Sequence, residues 1–153
     1  RYINSATHRL LRNRNWLILS ALGVNDNTIY LLEQGQSTLA FQDQQLKMIE
    51  LNQLTEPTAA AHEAMIDADL ISFPLIIRKW KQGDYFYPLG MDKKKKLSRF
   101  FIDQKLSLTQ KENTWLIESG KKIVWVMGLR IDNRFRVTGS TRKIIKFSLT
   151  ATQ

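Results

Sequence analysis

Four consecutive lysines, Lys93, Lys94, Lys95 and Lys96, stand directly before an apolar cluster of Leu97, Phe100 and Phe101. The spacing i, i+3, i+4 of that cluster is one buried helical stripe, so residues 92–105 read as a helix with Asp92 as its N-cap. Lys95 and Arg99, four apart, then point away from the stripe, with Lys96 on its flank. Cations in a first helical turn meet an end that already carries about half a positive charge, at a cost of about 0.3–1 kcal/mol each. Unpaired N–H groups and mobile ammonium groups together favour a phosphate there, which would offset that cost. A solvated lysine face explains the run equally well, because lysine is among the residues most often exposed.

A second basic group follows. Arg130, Arg134, Arg136, Arg142, Lys143 and Lys146 fall within 17 residues, against a single acid, Asp132. In an extended segment Arg134 and Arg136 share one face, and the planar arginine fork can bond two phosphate oxygens at once. Arg130 reads rather as an ion pair with Asp132. A third group, Arg78, Lys79 and Lys81, is interleaved with Trp80, Tyr85, Phe86 and Tyr87. Such interleaving can grip single-stranded bases by stacking, but aromatics of this kind more often belong to the core or the edge of a sheet, and that reading is preferred. The order of candidate phosphate contacts is therefore Lys93, Lys94, Lys95, Lys96 and Arg99, then Arg134, Arg136, Arg142 and Lys143, then Arg78, Lys79 and Lys81.

Catalytic chemistry is poorly represented. His8 and His62 have no partners at metal-ligand spacing, and there is no cysteine, which excludes thiolate metal sites, disulfides and a cysteine nucleophile. Asp67 and Asp69 form a lone carboxylate pair; Asp84, Asp92 and Asp103 sit singly among lysines, as caps and salt bridges. No glycine-rich loop precedes a Lys-Ser/Thr pair, so no nucleotide-binding loop is readable.

The whole chain carries +9, unevenly spread. Residues 1–77 hold five Lys/Arg against eight Asp/Glu, and residues 78–146 hold eighteen against six. That change from −3 to +12 is the asymmetry of a segment facing a polyanion. At 153 residues and 43% apolar the chain can bury a core, and no apolar run approaches the roughly 20 residues of a membrane span. The chain begins at Arg1 and enters its first pattern abruptly, as a fragment of a longer protein would. Lack of cysteine suits a reducing cytoplasm.

The elements that position these groups read as follows. Residues 1–15 are a polar lead-in or connector, 16–20 a strand, and 24–28 a turn. "IYLLEQG" and "STLAF" flank Gln34-Gly35-Gln36 as a hairpin. "QQLKMIEL" is a strand, with helix as the competing reading; 52–61 is a loop, and 63–71 a strand running into a turn. Residues 114–132 give two strands joined at Ser119-Gly120, with Ile123, Trp125, Met127, Leu129 and Ile131 on one face by alternation. "FRVTG" and "KIIKFSLTA" add further strand. The fold class is α+β, mostly antiparallel and β-sandwich-like, with one clear helix. Residues 1–66 are expected to be a β-rich connector and the first part of the region, and 67–150 a basic domain, unless the two are continuous.

"GDYFYPLGMDKKKKLSRFFIDQKLS" followed by "IVWVMGLRIDNRFRVT" resembles the C-terminal domain of bacterial tRNA(Ile)-lysidine synthetases. The motifs are Gly83-Asp84, Phe86, Pro88 and Gly90; Lys95-Lys96-Leu97 with Phe101-Ile102-Asp103; and Trp125-Val126, Gly128, Arg130-Ile131-Asp132 and Arg134. They occur in the family's order, densely over 67–149 and more weakly over 5–19. The resemblance implies a fold similar to a domain of the phenylalanyl-tRNA synthetase β-subunit. It implies that the full-length protein is a cytoplasmic ligase using ATP, with magnesium, to join lysine to C2 of the wobble cytidine of an isoleucine tRNA. The family's Ser-Gly-Gly-x-Asp-Ser ATP signature is absent here, so no catalytic residue and no cofactor is assigned to this chain. Its implied role is to dock the acceptor-stem side of tRNA(Ile), lysine and ATP being handled by a missing N-terminal domain. No membrane partner is implied, and the resemblance admits a homodimer. The rival reading is a basic protein-interaction or scaffold domain that does not bind RNA.

Overall fold

Alternating apolar residues along eight-residue stretches such as Gln44–Leu51, where Leu46 and Met48 are buried and Lys47 and Ile49 exposed, are the signature of strands with one wet face. The computed structural model describes residues 2–4, 8–13, 16–21, 28–52 and 60–152, the first three segments as backbone alone. The readings at 24–27 and 53–59 lie outside the described residues. In chain order the strands are β1 (Tyr2–Asn4), β2 (His8–Asn13), β3 (Trp16–Ala21), β4 (Ile29–Leu32), β5 (Thr38–Phe41), β6 (Gln44–Leu51), β7 (Glu63–Asp67), β8 (Leu75–Lys79), β9 (Tyr85–Phe86) and β10 (Lys95–Lys96). Two helices follow, α1 (Leu97–Asp103) and α2 (Leu108–Glu112), then β11 (Trp115–Ser119), β12 (Lys122–Val126), β13 (Arg130–Ile131) and β14 (Ile144–Ala151).

One five-stranded sheet runs β13-β12-β11-β8-β4 and one four-stranded sheet β5-β6-β14-β7, with every pairing antiparallel. Their facing sides share one core. Leu32, Leu75, Ile77, Trp115, Ile117 and Trp125 come from the first sheet, and Phe41, Leu46, Ile66, Ile145 and Phe147 from the second. Trp125 stacks on Phe147 with ring centroids 6.2 Å apart, tying the two sheets together. Each such side chain contributes about 1.5–3 kcal/mol by leaving water.

The opposite face of the five-stranded sheet is also apolar. Leu116, Ile123 and Val126 pack there under Phe86, Leu97, Phe100 and Phe101, so the stripe read from the sequence covers the sheet's outer side. Edge-on ring contacts, Phe86 to Phe100 at 5.0 Å and Trp80 to Phe101 at 4.9 Å, fix the helix in place. The result is an α+β sandwich with a helical cover.

Several expectations need correction. The chain has a second short helix: Ser107 and Gln110 form a capping box at its start, each side chain bonding the other's backbone N–H. Residues 29–32 and 38–41 do not form a hairpin; β4 pairs with β8 and β5 with β6, so the turn at Gly35 carries the chain from one sheet to the other. Residues 1–15 contain two strands, with Tyr2 opposite Leu11 and Asn4 opposite Arg9; backbone pairing requires no apolar alternation, which is why composition hid them. β12 does not keep strict alternation. Glu118 faces Ile123 but Ile117 faces Trp125, leaving Val124 as an extra residue, a β-bulge. Ile123 consequently joins the helical-cover core, while Trp125, Met127 and Ile131 join the inter-sheet core; Leu129 reaches the helical-cover side separately, from the turn at Gly128 with φ +77°. Finally, Asn133–Phe135 is a 3-10 turn, and the segment beginning at Phe135 is not a strand.

Candidate nucleic-acid interface

The lysine run does not open the helix. Lys95 and Lys96 pair as β10 with Phe86 and Tyr85 of β9. Helix α1 begins at Leu97, whose N–H donates to the Asp84 carbonyl at 2.9 Å, and Asp92 lies outside it. Four adjacent ammonium groups in a first turn would repel one another and the helix end; the extended β10 avoids that arrangement. The cradle expected at a helix start is therefore absent: Lys95 and Lys96 lie in a two-stranded ribbon, and Lys93 and Lys94 in the segment leading into it.

Each of the four has a different setting. The Lys95 ammonium donates to the Asp103 carboxylate, which Arg99 Nε also approaches at 3.5 Å. The hydrogen bond from Lys95 holds the Asp103 carboxyl below its ordinary range, with the charges of Lys95 and Arg99 acting the same way. Lys94 lies 5.0 Å over the Tyr85 ring, a cation–π contact. Lys93 and Lys96 are exposed, and like Lys81 they have no carboxylate of a described residue within ion-pair distance.

Arg78 is committed to the fold. Its Nη1 and Nη2 donate to the two oxygens of Asp84 at 2.9 and 3.0 Å, and its Nε and Nη2 to Glu118 Oε1 at 3.2 and 3.0 Å. Burial works to lower its pKa, but the bonds to Asp84 and Glu118 outweigh that, and it stays a cation. Lys79 lies 5.8 Å from the Trp115 ring centroid.

The arginines after β13 divide in the same way. Arg130 does not pair with Asp132; its guanidinium lies 5.2 Å from the Phe100 ring centroid. Asp132, fully buried, is instead gripped by Arg134, whose pKa is raised mainly by that hydrogen bond. Arg134 also stacks on Tyr87 at 4.5 Å. Arg136 donates to the Asn133 carbonyl at 2.8 Å and is exposed. Arg142 and Lys143 lie just ahead of β14 in the other sheet. Arg142 is 85% exposed, with a loose 3.6 Å approach to Asp69, and Lys143 is exposed. Lys146 bonds Glu63.

The structure also gathers residues that the sequence reading passed over. A cleft of about 310 Å³ is lined by Arg78, Asp84, Tyr85, Glu118, Lys121 and Lys122, with Arg134. Lys121 and Lys122 come from the β11–β12 turn, where Gly120 and Lys121 both have positive φ, +55° and +68°, as a two-residue hairpin turn of the mirror-image class requires. Two lysines directly after a strand–glycine signal were the available clue. His62 is exposed, its Nε2 3.7 Å from Glu63 Oε1, and among the described residues no cluster of acids and histidines could hold a metal ion.

Comparison with known proteins places this arrangement in context. Residues 75–147 match the family model described as the TilS substrate C-terminal domain. The chain is 39% identical over 150 residues to the tRNA(Ile)-lysidine synthase of Parabacteroides distasonis, covering 92% of this chain and 32% of that protein. The corresponding enzyme of Bacteroides thetaiotaomicron is 34% identical over 144 residues, covering 92% and 31%. The chain thus spans about a third of the length of these curated relatives. A solved structure described as the crystal structure of a TILS C-terminal domain superposes over 82% of this chain and 99% of its own, with a TM-score of 0.69 at 20% identity, which shows a shared fold.

Proposed function

Through residues 75–147 the chain belongs to the TilS substrate C-terminal domain family, and from that membership we propose that it is the tRNA-docking part of a tRNA(Ile)-lysidine synthase. It holds the acceptor-stem side of tRNA(Ile) by phosphate and shape contacts. Duplex RNA is recognised mostly in that way, with little reading of bases. The observation that carries the reading is the basic ribbon and its neighbours. Lys93, Lys94 and Lys96 beside Tyr85, and Lys121 and Lys122 across the adjoining cleft, are exposed cations with no carboxylate of a described residue within ion-pair distance. Arg99, Arg136, Arg142 and Lys143 supplement them. Lys95, Arg78 and Arg134 support the surface by holding its carboxylates.

The chemistry of the whole synthase, ATP-driven joining of lysine to the wobble cytidine in the cytoplasm, belongs in this reading to residues outside the 153 of this chain. ATP and magnesium go, in this reading, with the roughly two thirds of the relatives' length that this chain does not span.

The test is a titration of the chain with an isoleucine tRNA and an unrelated tRNA at 50 and 200 mM salt. Neutralising several phosphates predicts a loss of affinity of about tenfold or more between the two salts, for both RNAs. Absence of binding at low salt would overturn the docking role and leave a basic protein-interaction domain.

A further inference from the structure

Resting on that docking reading, we propose that the cleft between β9 and the β11–β12 turn seats one unpaired ribonucleotide of the bound RNA. Three observations converge on it. The first concerns the aromatics of residues 80–87. Trp80 is packed on Phe101 and donates its Nε1–H to the Lys111 carbonyl, Phe86 is fully buried, and Tyr87 lies under Arg134. Tyr85 differs: it is 46% exposed and lines the cleft, with only the mobile Lys94 ammonium set over its ring. A ring open to solvent within a basic surface is a stacking platform for a base.

The second is charge. Four cations line the cleft, Arg78, Lys121, Lys122 and Arg134, against two carboxylates, Asp84 and Glu118. Arg78 and Arg134 are held by Asp84, Glu118 and Asp132, so the ammonium groups of the turn are the ones available to a phosphate. Lys94, over the Tyr85 ring, adds a further cation at the rim.

The third is an acceptor in the lining. Glu118 receives both its Arg78 bonds on Oε1, leaving Oε2 without a donor among the described residues. Among the described residues every fully buried side-chain oxygen has a partner, so this one is reached by solvent. A ribose hydroxyl or a base amino group can donate to it. Phosphate donors, an aromatic face and a carboxylate acceptor within about 310 Å³ match one nucleotide, at the lower end of small-ligand cavities. A double-helical stem keeps its bases stacked and cannot present one to Tyr85; an unpaired residue can.

The experiment compares a blunt ten-base-pair RNA duplex, the same duplex with a two-nucleotide 3′ extension, and AMP, each titrated against the chain at low salt. The extended duplex is expected to bind about tenfold more tightly than the blunt one. That preference is lost in Tyr85→Ala and in the Lys121→Ala/Lys122→Ala double variant, and kept in Tyr85→Phe. The double variant changes two exposed turn residues, so the test survives if Tyr85→Ala fails to fold. Equal binding of the two duplexes by the parent chain overturns the nucleotide cleft and leaves the docking reading standing. Loss of binding to both overturns the docking reading along with it. Saturable AMP binding without any preference for the extension overturns the RNA assignment in favour of a free nucleotide.

Discussion

Asp132 and Arg134 form a closed pair two residues apart: Nε reaches Oδ1 at 3.0 Å and Nη2 reaches Oδ2 at 2.9 Å, and the same carboxylate accepts the backbone N–H groups of Tyr87 and Arg134. One buried carboxylate thus fixes the end of β9, the 3-10 turn and the arginine at once. Asp132→Asn removes the charge and half the acceptor capacity. It is expected to cost about 2 kcal/mol, the scale of hydrogen bonds to charged groups, read as a shift in the urea midpoint. A shift within error would show that the pair holds nothing.

Arg78 between Asp84 and Glu118 presents the opposite balance, one cation to two acids, with only 12% of its side chain exposed. Arg78→Met leaves two carboxylates facing each other and is expected to destabilise by about 3 kcal/mol. Adding Asp84→Asn and Glu118→Gln to that variant should recover much of the loss, because the uncompensated charges are gone. Thermal melts of the single and triple variants decide it.

Phe101 joins the helix to the sheet face beneath it and is fully buried against Trp80. Phe101→Ala is expected to cost about 3–5 kcal/mol, with the largest loss of amide protection in residues 97–103. Unchanged protection there would mean that the helical cover is held by something else.

Acid sensitivity should be traceable to the Lys95–Asp103 bond. The folded Asp103 pKa lies below its unfolded value, so its contribution is complete above the ordinary aspartate range and is lost as pH falls through the folded pKa. Glu63, lowered chiefly by its hydrogen bond to Lys146, behaves in the same direction. Lys95→Met should raise the Asp103 midpoint in a carboxyl NMR titration and move the acid limb of stability to higher pH. An unmoved midpoint would sink the assignment.

Lys121 offers a separation of stability from binding. At φ +68° a lysine pays a steric penalty that glycine does not, so Lys121→Gly is expected to stabilise the chain by about 0.5–1 kcal/mol. It should also weaken RNA binding, since it removes a cleft cation. A variant both more stable and fully competent in binding would remove Lys121 from the interface.

Much of this architecture was legible from the sequence, for definite reasons. Leu97, Phe100 and Phe101 announced their stripe because helical spacing is local; β6 was readable as a strand from its alternation, though helix competed, since Ile49 is apolar on the exposed face. What stayed hidden was non-local. No local pattern records that β4 and β5 leave Gly35 for different sheets, or that one extra residue at Val124 turns Ile123 to the opposite side from Trp125. The candidate site divides likewise. Runs of lysine and arginine were visible, but which arginine takes which carboxylate depends on the 3-10 turn at Asn133–Phe135, and periodicity favoured Arg130 over Arg134.

The place of β14 has a consequence for synthesis of the chain. It lies between β6 and β7, with Ile144 flanked by Leu51 on one side and Asp67 on the other. In the fold no earlier strand among the described residues occupies that slot. A nascent chain leaving the ribosome therefore carries β6 and β7 as two unsatisfied borders until residues 144–151 emerge. Such borders invite pairing with other chains, and closing them requires contacts across most of the sequence, the slow class of folding event. The β5–β6 hairpin is local and can form early, but joining it to β7 waits on that last strand.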